Sequence, residues 1–216
     1  MQKIMFNDKY GLTQAVLEGK KTQTRRVCKV QPEFKSYEIA FPVGWINEDD
    51  PLQDPLYGAY RWVNKDNPKE KSDWIIPQFK VGEVVAIVQS YKDAANWALV
   101  EDCKEFEGKE PWLMAGWNNK MFVRPDYMPH QIRITNVRVE RLQDISDKDC
   151  LAEGIIKGKV GSEDTHFMDA YYIPNKPLEP ICTPREAYAE LIDKVSGKGT
   201  WYKNPYVWVY DFELIK

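Results

Sequence analysis

The chain has 216 residues, 43% hydrophobic and 29% charged, with a formal net charge of −3. These are the proportions of a folded globular protein. No run approaches the ~18 continuous apolar residues of a membrane span, and the strong basic excess of a non-specific duplex-DNA binder is missing. Cys28, Cys103, Cys150 and Cys182 stand far apart, and His130 and His166 are the sole histidines. That spacing argues against a zinc knuckle, a histidine metal site or a disulfide scaffold, so neither a metal nor another cofactor is expected. Charge returns within the first eight residues, which does not suit a secretory signal, and a cytoplasmic protein is expected. Residues 1–30 nonetheless hold seven cations against Asp8 and Glu18. A local basic site on a mildly acidic chain suits one anionic or polar ligand better than a long phosphate track.

In chain order, Lys3-Ile4-Met5-Phe6 predicts a short strand, with Asn7 or Asp8 capping the helix that follows. Leu12, Ala15 and Val16 have helical spacing, and Gly19 supplies a left-handed stop. Residues 20–27 are polar and read as a loop passing into a strand. From 29 to about 78, six prolines preclude a long element. The same segment is too aromatic for a disordered linker, so short strands and turns packed on the main domain are expected. Val84-Val85-Ala86-Ile87-Val88 reads as a buried strand after the turn at Gly82. Residues 89–120 are mixed, and Met121-Phe122-Val123 predicts another strand.

Apolar and polar residues alternate from Gln131 to Leu142, with a phase slip near Thr135–Asn136 that predicts a bulge. Ser146 with Asp149 has the form of a helix start, and that helix ends at Gly154. The stretch 156–182 is looser. Thr183-Pro184-Arg185-Glu186 opens a helix with Tyr188, Leu191, Ile192 and Val195 as its apolar stripe, stopped at Gly197. Tyr206 to Leu214 reads as a closing strand, with Trp208 in the core. The fold class expected is mainly β with helices (α+β), one domain over 1–216 with insertions at about 29–78 and 89–120. The bent central ribbon suggests a small β-barrel.

Three segments carry a family resemblance. They are Gly19-Lys20-Lys21-Thr22-Gln23-Thr24-Arg25-Arg26 after the first helix, Phe79-Lys80-Val81-Gly82-Glu83-Val84-Val85, and the run from Ile132 through Ala152-Glu153-Gly154 with the closing Trp208-Val209-Tyr210-Asp211-Phe212. Together they resemble the ASCH domain family of the PUA-like superfamily, in its longer bacterial and phage-associated form. The resemblance implies a β-barrel with a cleft beside the Lys-Thr-x-Thr loop, and binding of RNA, a nucleotide or a modified nucleoside. It also implies an alternative. A small branch of the family cleaves the acetyl amide of acetylcytidine without a metal, and its catalytic set falls here on Lys21, Thr24 and Glu153. Lys20, Thr22, Arg25, Arg26, Tyr202 and Lys203 become ligand-binding candidates.

Amide cleavage needs a nucleophile, a proton acceptor and a stabiliser of the oxyanion. Thr24 supplies a hydroxyl; Glu153 or a neutral Lys21 would take its proton, or a cationic Lys21 would polarise the carbonyl. In a straight strand positions 21 and 24 face opposite ways, so the chain must turn between them. Arg25 and Arg26 suit either forked phosphate contacts or structural ion pairs. Trp62, Trp74 and Trp97 are candidates for stacking on a base. A third reading is a protein-interaction module with a vestigial cleft.

Overall fold

The computed structural model of the protein describes residues 1–32, 34, 36–42, 54–94, 110–163, 166–176 and 178–215. Its strands are β1 (Gln2–Ile4), β2 (Gln23–Val27), β3 (Tyr37–Ala40), β4 (Arg61–Asn64), β5 (Val84–Ile87), β6 (Gln131–Arg141), β7 (Ile156–Val160), β8 (Met168–Tyr172) and β9 (Tyr206–Leu214). The helices are α1 (Leu12–Leu17), α2 (Asp147–Ala152), α3 (Pro184–Ser196) and α4 (Thr200–Lys203). The fold is thus mixed α+β, richer in strands than in helices.

Five strands form one sheet in the order β1-β5-β6-β9-β2, and β3-β4 and β7-β8 are two-stranded ribbons. β1 runs parallel to β5, and the other pairs are antiparallel. β6 and β9 form the spine. Their register shifts between Ile134 and Asn136, where the alternation of the sequence slips. The extra residue bends the sheet and lets Ile132, Ile134 and Val137 all face the core. Val207 to Tyr210 of β9 are buried without alternation, since packed elements cover both faces. The expected barrel is not closed among the described residues: β1 and β2 stand at opposite edges of the sheet.

The residues of 54–78 and the β3-β4 ribbon pack on the main core. Tyr60 lies 5.0 Å from Trp208 and 5.2 Å from Trp62, ring centre to ring centre, and Trp62 lies 4.7 Å from Tyr206. Trp62 is therefore a core residue and no stacking platform, and Trp74 holds the Arg61 guanidinium 4.4 Å from its ring. Trp97 lies outside the described residues.

Three local expectations are corrected. Asn7 makes no cap bond; Asp8–Tyr10 is a 3-10 turn, and Gly11, left-handed at φ 63°, precedes α1. Lys120–Phe122 is a 3-10 turn in place of a strand, because the Asn119 side chain accepts from the Met121 N–H while Met121 and Phe122 lie exposed. The stretch 156–182 is not loose. It holds the β7-β8 ribbon, whose largely exposed faces carry no apolar alternation to reveal it.

Candidate functional site

Two helix stops deliver the residues of the site. At the end of α1, Gly19 N–H bonds Val16 O at 2.9 Å and Lys20 N–H bonds Ala15 O at 2.8 Å. At the end of α2, Gly154 N–H bonds Leu151 O at 2.9 Å and Ile155 N–H bonds Cys150 O at 3.2 Å. Both are Schellman pairs, which need a residue of positive φ after the helix, and both glycines provide it, at 68° and 105°. The first reverses the chain so that Lys21 falls just before β2. The second fixes Glu153, the cap residue that follows Ala152 at the end of α2. The stops abut: a Cβ on Gly154 would lie 3.6 Å from Lys21 and Leu12 side-chain atoms.

Lys21 and Glu153 are both buried and meet at 2.5 Å. The ammonium spends its three N–H groups on Glu153 Oε2 at 2.5 Å, Glu153 O at 2.8 Å and Gln23 O at 2.8 Å. Full satisfaction of this kind is what makes a buried ion pair tolerable. Burial pushes the Lys21 pKa down, against the raising effect of Glu153. The other Glu153 oxygen accepts from Arg25 Nη1 at 3.2 Å.

Arg25 is a structural hub. Its side chain is fully buried and its five N–H groups go to Glu140 twice (3.1 and 2.6 Å), Asp149 (3.3 Å), Glu153 and the Gln23 amide oxygen. Burial opposes its charge, but Glu153 and Glu140 outweigh that and raise its pKa. No donor is left for a phosphate, so of the two roles open to it Arg25 takes the ion-pair one. Arg138 extends the network to Glu140, Asp149 and Asp211.

Beside these groups lies a cleft of about 470 Å³ between β2, α3, α4 and residues 5–7. Lys21, Thr24, Arg25, Arg26, Glu153 and Lys203 all line it. The catalytic candidates Lys21, Thr24 and Glu153 therefore share one cavity. Among the described residues the Thr24 hydroxyl has no hydrogen-bond partner, and Glu153 spends its oxygens on Lys21 and Arg25. Lys20, Thr22 and Tyr202 are not brought to the cleft. Lys20 pairs with Glu18 at 2.6 Å on the surface, Thr22 is exposed and gives its backbone to Ala152 and Phe212, and Tyr202 is 89% exposed.

Arg26 differs from its neighbour. It is half-buried against the Phe6 ring, donates Nη2 to Met5 O at 2.6 Å, and leaves Nε buried with no partner among the described residues. Burial pushes its pKa down. Among the described residues neither Arg26 nor Lys203 has a carboxylate within ion-pair distance, although Glu153 acts on Arg26 from further off. From α3 the cleft is lined by Tyr188, Leu191, Ile192 and Val195, with Ser196 at the helix end. That stripe is legible as a core face, but nothing in its periodicity separates core from cleft wall. No cluster of His, Cys, Asp and Glu able to hold a metal occurs among the described residues, and no helix there is long and apolar enough to cross a membrane.

Compared with family models, curated proteins and solved structures, the chain matches none of them.

Proposed function

We propose that this chain is an ASCH-type, PUA-like protein that binds a nucleotide, a modified nucleoside or a single residue of RNA in the cleft beside Lys21. The observation that carries this reading is a pair of cations, Arg26 and Lys203, with no carboxylate within ion-pair distance among the described residues, on a cavity of about 470 Å³. Small-ligand clefts commonly span roughly 300–1,000 Å³ and combine apolar walls with a few placed polar groups. One nucleoside with a phosphate matches that scale, whereas an extended strand would need a longer groove. The apolar wall of α3 offers a face to a flat base, and the cations attract the anionic part. Arg25 supports the site from behind by holding Glu153.

A second reading is favoured by one specific feature. A threonine hydroxyl without a hydrogen-bond partner among the described residues shares the cleft with a buried lysine whose pKa is lowered. For amide cleavage, Thr24 would attack the acyl carbon while its proton passes to the Lys21–Glu153 pair, the amine would leave after taking a proton back, and water would then hydrolyse the Thr24 ester to release the acid and restore the hydroxyl. The Thr24 hydroxyl must first come within hydrogen-bond reach of that pair.

Thermal-shift titration with acetylcytidine, the four ribonucleoside 5′-monophosphates and a short oligoribonucleotide tests the binding reading. At least one should raise the melting temperature in a dose-dependent way. No shift from any of them at millimolar concentration would contradict the reading. Release of cytidine from acetylcytidine without added metal is expected under the second reading, and its absence removes that reading alone.

A further inference from the structure

Tyr188 is 1% exposed, its hydroxyl is buried, and among the described residues that hydroxyl has no hydrogen-bond partner. More than nine in ten buried polar groups in folded proteins are paired, and an unpaired one costs roughly 1–3 kcal/mol. A phenylalanine would fill the same volume without that cost. The hydroxyl therefore has no structural account, and its location supplies another. Tyr188 lines the cleft. With Leu191, Ile192 and Val195 it forms the face that α3 turns toward the cavity, at positions i, i+3, i+4 and i+7. Ser196, at the exposed end of the helix, is the other polar residue of α3 on the cavity; Tyr188 is the buried one.

Its surroundings set the chemistry it can perform. The Arg25 guanidinium lies 6.0 Å from the ring centre, and Glu153 is close enough to act on the hydroxyl electrostatically. Burial first, and Glu153 second, push the phenol well above its ordinary pKa. At physiological pH it is a neutral O–H, able to donate. Arg26 also lines the cleft, and its Nε is a second buried donor without a partner among the described residues; a guanidinium has no acceptor to offer. Two unpaired donors on one cavity call for a ligand that presents acceptors: carbonyl oxygens, unprotonated ring nitrogens or phosphate oxygens.

We infer that the Tyr188 hydroxyl is a specificity-determining hydrogen-bond donor, reading a carbonyl or ring-nitrogen acceptor on the edge of a base laid against the apolar wall of α3. This rests on the nucleotide-binding reading and assigns the base end of the ligand to Tyr188, with the anionic end left to Arg26 and Lys203. A site built to hydrogen-bond its ligand discriminates strongly against one that lacks the matching atom, because its own polar group is then left unpaired.

The test is calorimetric titration of wild-type protein and Tyr188→Phe with the tightest-binding ribonucleoside 5′-monophosphate and with ribose 5-phosphate, which has no base. Melting temperatures of both proteins are measured alongside. The variant should melt at or above the wild-type temperature, since it loses a buried unpaired hydroxyl. It should bind the nucleotide about tenfold more weakly, and ribose 5-phosphate as well as wild type does. Unchanged nucleotide affinity in the folded variant overturns the assignment and leaves the binding reading intact. An equal loss for both ligands, or a lowered melting temperature with unchanged affinity, assigns Tyr188 a structural role and also overturns it. If wild type binds neither the nucleotides nor acetylcytidine nor the oligoribonucleotide, the functional reading itself falls, and the assignment with it.

Discussion

Arg25 and Arg26 are adjacent, identical in type and opposite in fate. Successive residues of a strand point to opposite faces; on β2 one guanidinium meets the carboxylates of β6 and α2, and the other meets Phe6 and the cleft. Replacing Arg25 by alanine leaves Glu140, Asp149 and Glu153 facing one another without their common partner. Breaking a buried pair from one side costs about 3–5 kcal/mol, so urea denaturation of Arg25→Ala should show a loss of that order. A loss below about 1 kcal/mol would contradict the hub role. Thr24 has the reverse profile. Its hydroxyl holds nothing in place, so Thr24→Val should change stability little while abolishing any acetylcytidine turnover the wild type shows. Turnover that survives the change removes Thr24 as nucleophile. Tyr188 marks the limit of sequence reading at this scale. As one member of an i, i+3, i+4 stripe it reads as filler, and its unpaired oxygen is visible only once its neighbours are placed.

At the scale of elements, the helix stops were the most legible part of the site. Gly19 and Gly154 each follow an amphipathic stretch, and a glycine there predicts a left-handed cap. What could not be read was that the two stops would touch, because contact between residues 19–21 and 153–154 is set by the sheet that separates them in sequence. The β7-β8 ribbon was illegible for a different reason: a ribbon exposed on most positions has no core side to impose a pattern. The start of α2 is legible, and its Asp149 yields a pH prediction. Burial opposes the charge of Asp149, but hydrogen bonds from Gln23 and Ser146 and the nearby Arg25 and Arg138 outweigh it and hold its carboxyl below the ordinary 3.8. A carboxyl with a lowered folded pKa contributes stability above its unfolded value and loses it as pH falls through the folded one, since the unfolded chain takes up the proton first. Wild-type stability should therefore fall more steeply on acidification below the ordinary value than that of Asp149→Asn. Parallel stability curves from denaturation at several pH values would contradict this.

At the scale of the molecule, the order of strands explains why the cleft lies where it does. β2 is an edge of the sheet, paired with β9 on one side only. Its other flank is free to border α3, α4 and residues 5–7, and a cavity forms there. The sequence pattern reached β1, β2, β5, β6 and β9 and the bulge in β6, since each has a buried face. It also suggested closure into a barrel, which periodicity cannot decide because strand pairing at the edges leaves no mark on which side chains are apolar. The surplus of cations in residues 1–30 suggests a local ligand site, and in the proposed reading Arg26, joined by Lys203 from the far end of the chain, meets the anion. The most direct test of that surplus is calorimetric titration of the tightest-binding ribonucleoside 5′-monophosphate into wild-type protein and Arg26→Gln at two ionic strengths. Wild-type affinity should fall with added salt, as charge attraction is screened, and the variant should bind about tenfold more weakly with a flatter salt dependence. Equal, salt-independent affinities in the two proteins would contradict it.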